Sequence, residues 1–152
     1  MEEDYNWTRD GEIIQKAMSE IWEPFAFKYE MKVEYHSIES NKLKSMTLTK
    51  GDLMIDISMS RTNPFNCSFF SITRACEDNF VYFIFKGYIP KGENLIWLYN
   101  QNNLLIPDDI EDKKQRWTQW MSNYVFLLEK YCSELLETGD ICGWLAKHPP
   151  KE

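Results

Sequence analysis

The chain is poor in the residues that most enzyme and metal signatures need. It has only two histidines, His36 and His148, far apart in sequence. That spacing excludes an H-E-x-x-H zinc helix and any histidine-rich metal cluster. No G-x-x-x-x-G-K-[ST] loop is present to cradle a phosphate, and no G-x-G-x-x-G turn to receive a dinucleotide. A G-x-S-x-G nucleophile elbow is missing too. The four cysteines, Cys67, Cys76, Cys132 and Cys142, form no C-x-x-C pair. A zinc site would have to gather its ligands from distant segments. The expectation is no catalytic residue, no metal and no cofactor, within the reach of these templates.

Long hydrophobic runs are also lacking. The longest, Phe80 to Phe85, falls far short of the ~20 residues a membrane-spanning helix needs. The start, MEEDYNWTRDGE, is acidic and carries no apolar core of a secretory signal. These features predict a cytoplasmic protein with four free, buried thiols. Positive charge is scarce: 17 Lys and Arg stand against 24 Asp and Glu, for a net charge of −7. Such a balance disfavours nucleic acid and anionic membrane, and it suits a basic protein partner. It also serves the plainer purpose of keeping a protein soluble.

Aromatic residues, by contrast, are abundant at 15%. Phe, Tyr and Trp supply core volume, and at a surface they anchor partners. The 152 residues suffice for a single domain, 1–152, with a real core. A first helix is predicted from Asp10 to Pro24, with Ile13, Ile14, Ala17, Met18, Ile21 and Trp22 on one stripe. Alternation then marks strands. Met31, Val33 and Tyr35 face one way in the first. Leu43 to Thr49 and Leu53 to Ser60 flank a Lys50-Gly51-Asp52 turn, with Asp56, Ser58 and Ser60 on a solvated face. Phe65 to Thr73 and Phe80 to Phe85 read as further strands. Leu95 to Tyr99 fits either a last strand or a helical turn.

A long helix is predicted from Asp108 to about Thr138. Trp117, Met121, Tyr124, Leu128, Tyr131 and Leu135 recur along it by fours and threes, which aligns them on one stripe. Gly139 supplies a left-handed stop, Asp140 caps a short last helix, and Trp144 folds back on the long one. The expected class is α+β: an antiparallel sheet of four to six strands, with the N-terminal and long C-terminal helices on one face.

Several side chains invite a chemical reading. Cys142, near a helix start, is a candidate for a lowered thiol pKa, against simple packing beside Trp144. His36 is a candidate base, against a solvent-facing spacer. Arg61 and Arg74 suit a carboxylate ligand, against ordinary surface pairing. The densest charge lies in Asp108, Asp109, Glu111 and Asp112. Acids in a first helical turn complement the helix dipole, but four exceed what that needs. The excess is the candidate docking patch for a basic partner.

The tail from Leu135 to Leu145 has the pattern LL-x-x-GD-x-x-x-WL. It resembles the close of small bacterial α+β domains, among them immunity proteins of polymorphic-toxin and contact-dependent inhibition systems. That resemblance implies a non-catalytic protein that neutralises a toxin, often a basic one, by direct binding. Two other readings stand beside it. One is a small α+β enzyme or ligand-binding domain with a pocket between sheet and helices. The other is a subunit of a larger assembly, with Phe80–Phe85 at the interface. The oligomeric state is left open.

Overall fold

The computed structural model describes residues 7–38, 43–59, 66–71, 85 and 87–148. Helix α1 spans Trp7–Lys28. Ala17, Met18, Trp22, Phe25 and Ala26 are buried along one stripe, with the Phe25 ring edge-on to Trp22 at 5.3 Å. Pro24 does not end this helix, as the sequence suggested; it lies inside it, on the exposed side. Proline there removes one hydrogen bond to a solvent-facing carbonyl, while Phe25 and Ala26 keep burying apolar surface beyond it. The true stop is Glu30, held at φ +58°. Around it Met31 N donates to Ala26 O at 2.8 Å and Glu30 N to Phe27 O at 3.2 Å. These are the paired bonds of a Schellman ending.

Four strands follow as an antiparallel meander in the order β1 (Lys32–Ile38), β2 (Leu43–Lys50), β3 (Leu53–Met59), β4 (Asn66–Ser71). Cross-strand rows run Val33, Leu48, Ile55, Phe69 and Tyr35, Met46, Ile57, Cys67. Met46, Leu48, Leu53, Ile55 and Ile57 are wholly buried, so this is the core face. The opposite face differs from expectation. Its rows Glu34, Thr47, Asp56 and His36, Ser45, Ser58 are polar. Yet Ser45, Thr47 and Ser58 are buried and Asp56 is half-buried. Burial raises the Asp56 carboxyl pKa, and the nearby His36 charge and a hydrogen bond from Thr47 partly offset it. The strand expected over Phe80 to Phe85 lies outside the described residues except for Phe85, which is buried 6.1 Å from the Tyr124 ring.

The ambiguous segment is helical: α2 covers Leu95–Gln101, with Asn94 capping Ile96 N at 2.9 Å. The long C-terminal helix is shorter and broken. A single 3-10 turn occupies Pro107–Asp109, α3 runs Lys113–Tyr131, and α4 covers Ser133–Thr138 after a bend at Cys132. The predicted stripe is right in phase. Trp117, Met121, Tyr124, Leu128 and Leu135 are buried, while Tyr131 is half-buried. Leu127, Trp120 and Asn123 widen the buried face. Helix α1 packs on α3, β1 and β2, and their side chains share one core with the sheet. Glu129 of α3 fastens the end of α1, accepting from Lys28 Nζ at 2.5 Å and Tyr29 OH at 2.7 Å.

Gly139 ends α4 at φ +70° and ψ 17°. Its carbonyl accepts Asp52 N at 2.9 Å, which docks the β2–β3 turn against the C-terminal helices. Asp140 then accepts Gly143 N at 3.1 Å and opens α5, Ile141–Lys147, with Trp144 buried. Helix α5 lies against β4. The thiol expectation is corrected here. Cys132 is free and buried, but Cys142 is in a disulfide. A disulfide sulfur has no thiolate to activate, so Cys142 is no nucleophile.

Candidate functional site

Asn102 closes α2, and Asn103 takes φ +56° to turn the chain. Leu104 N donates to Tyr99 O at 2.9 Å, which returns the backbone across the helix end. The next anchor is Asn123 of α3, 1% exposed, whose Nδ2 donates to Leu105 O at 2.8 Å. Gln119 Nε2 in turn donates to Asn123 Oδ1 at 2.7 Å, so the amide is oriented from both sides. Pro107 buries its ring at the start of the 3-10 turn. Asp109 N and Ile110 N donate to Ile106 O and Pro107 O at 3.1 and 3.0 Å.

Arg116 fixes the far end. Its Nε donates to Ile110 O at 2.8 Å and its Nη2 to Glu111 O at 3.1 Å. Asp112 Oδ1 accepts Gln115 N at 2.9 Å as the N-cap of α3. The segment is therefore a clamped loop outside the helix. This corrects the dipole account: the first turn of α3 holds no acidic residue. Only Asp112 has a capping role. Asp108, Asp109 and Glu111 are exposed. No hydrogen bond or ion pair engages their carboxylates among the described residues.

The four predicted residues, adjacent in sequence, lie on this one hydrogen-bonded segment. The structure adds three residues that the sequence reading missed. Leu105 is 63% exposed despite its pinned backbone. Arg116 and Asn123 hold the loop through hydrogen bonds to its backbone carbonyls. A groove runs between the loop and α3, lined by Leu105, Ile110, Lys114, Gln115, Thr118 and Gln119. One signal was available: Asp112 followed three residues on by Gln115 has the spacing of a capping box, which starts a helix at 112 rather than 108.

The remaining candidates separate. His36 lies on strand β1, exposed, 4.0 Å from Glu34. His148 stacks on Trp144 at 4.3 Å, with Nδ1 2.9 Å from the Trp144 carbonyl, which is a packing role. Arg61 and Arg74 lie outside the described residues. Among the described residues no group of three or more His, Cys, Asp or Glu is placed to hold a metal ion. None of the described helices is long and apolar enough to cross a membrane. The chain matches no protein family, no curated protein and no solved structure.

Proposed function

We propose that this chain is a non-catalytic binding protein, an immunity protein that neutralises a basic toxin by direct contact. The observation that carries the reading is the fixed acidic loop. Asp108, Asp109 and Glu111 present carboxylates that have no partner among the described residues, on a backbone clamped by Arg116 and Asn123. A preorganised loop loses little entropy on binding, and unpaired acids steer a basic partner toward it. The net charge of −7 supports the same partner class. The resemblance of the LL-x-x-GD-x-x-x-WL tail supplies the biological setting. The Cys142 disulfide favours an oxidising compartment for the encounter over the cytoplasm expected from free thiols.

The experiment is expression of the toxin domain encoded beside this chain's gene, with and without the chain. The reading expects growth arrest by the toxin alone, rescue by the chain, and a stable purified complex. A neighbouring gene without a toxin domain, or a toxin that the chain neither binds nor silences, contradicts it.

A second reading has its own observation. The half-buried Asp56, beside His36 and hydrogen-bonded to Thr47, is a polar cluster on a sheet face, as a ligand-binding domain would carry. Asp56→Asn separates the two: it abolishes ligand uptake under this reading and leaves toxin rescue intact under the first.

A further inference from the structure

We infer that the groove between the acidic loop and α3 seats an apolar side chain of the partner, next to a Lys or Arg that lies over the loop. This rests on the binding-protein reading and names its contact surface. Three features of the groove converge. The first is Leu105. Its carbonyl is held by Asn123 at 2.8 Å, and the preceding Leu104 N is held by Tyr99 O at 2.9 Å. With the backbone fixed on both counts, the loop cannot roll to hide this side chain. The exposed Leu105 side chain is thus held at the mouth of the groove, where a partner that covers it removes apolar surface from water.

The second feature is the lining. Ile110 is half-buried on the loop side, and the stems of Gln115, Thr118 and Gln119 complete the walls. Thr118 and Gln119 are half-buried, so a guest side chain meets surfaces already shielded from water on one side. The third is the arrangement of charge. Asp108, Asp109 and Glu111 flank Ile110 along the loop, and Lys114 stands on the helix side. A uniformly basic segment is repelled by Lys114. A segment with its cation over the loop and its apolar group toward α3 satisfies both lips. A second copy of this chain, at −7, lacks the required charge.

The test is titration of the purified neighbouring-gene toxin domain against four proteins: wild type, Leu105→Ser, Gln115→Trp and Phe27→Ser. Leu105 and Gln115 are both exposed, so neither change disturbs the core. Phe27, 88% exposed and no part of the groove, is the control for generic apolar contact. The inference expects Leu105→Ser to weaken binding roughly tenfold or more, as loss of one buried leucine side chain does. Filling the groove with Gln115→Trp is expected to do the same, and Phe27→Ser to bind as wild type. Equal affinity for all four overturns the groove and leaves the binding reading standing. Equal losses in all three variants also overturn it, by showing unspecific contact. No binding by wild type overturns the underlying reading itself.

Discussion

Gly139 and Lys50 approach so closely that no side chain fits between them. A Cβ built on Gly139 would run into the Lys50 carbonyl oxygen. The contact joins the end of α4 to the β2–β3 turn, where Gly139 O also accepts Asp52 N. The glycine is required twice, for its positive φ and for the missing Cβ. Gly139→Ala is expected to cost about 1–3 kcal/mol through the backbone alone, with a further loss as the turn is pushed away. Gly92, at φ +89° with nothing within 4 Å of its would-be Cβ, provides the control. Urea midpoints of the two alanine variants check this; equal losses would show that the close approach carries no energy.

Glu30 is the opposite case, a residue with a Cβ in a left-handed conformation that glycine would occupy freely. The Glu30→Gly variant is expected to gain about 0.5–1 kcal/mol by relieving this strain. Thermal melting reads the gain. A lowered melting temperature would mean that the Glu30 side chain contributes more than its backbone costs.

Two carboxylates give opposite pH signatures. Burial raises the Asp56 pKa above its ordinary 3.8, so the native state holds that proton more tightly than the unfolded chain. Its contribution to stability is present at low pH and lost as pH rises through the folded value. Glu129 is lowered below 4.5, first by its hydrogen bond from Lys28, with burial opposing. Its contribution is present above 4.5 and lost as pH falls through the folded value. Urea midpoints between about pH 3 and about pH 7 separate them. Asp56→Asn should flatten the decline toward neutral pH, and Glu129→Gln should flatten the decline toward acid.

The cysteines differ in accessibility and in oxidation state. Burial pushes the Cys132 thiol far up, so at neutral pH it is protonated and shielded. A thiol-alkylating reagent should leave it unlabelled in the native protein and label it in denaturant. The Cys142 peptide should take label only after reduction, because its sulfur is already bonded. Labelling of Cys142 in denaturant without reductant would refute the disulfide.

Periodicity made the amphipathic elements legible. The spacing of Trp117, Met121, Tyr124 and Leu128 gave the phase of α3, since only one helix face can bury four large side chains at that rhythm. Gly139 and Asp140 were legible for a similar reason: few residue types serve as a left-handed stop or a cap. The end of α1 was not, because Glu30 is not a residue that announces a left-handed turn. The helix start misplaced at Asp108 has a tertiary cause. Arg116 and Asn123 hold the 105–111 backbone out of the helix through side-chain bonds, and the only local sign of the true start is the Asp112–Gln115 spacing. The acidic composition of the candidate site was thus visible, and its rigidity was not. Leu105, which lines the groove beside the loop, shows in sequence only as one of three aliphatic residues before Pro107.

The most direct test of the account is the association rate of the chain with the toxin domain that the proposed function expects beside its gene, measured by stopped flow across a range of salt concentrations. The variant is Asp108→Lys with Asp109→Lys, which leaves the Asp112 cap in place. Exposed acids contribute little to folding, so the variant's stability in urea should match wild type to within about 0.5 kcal/mol. If these carboxylates steer the encounter, the variant associates more slowly, and its rate depends less steeply on salt. Identical rates and identical salt slopes for the two proteins would contradict the claim that this loop receives the partner.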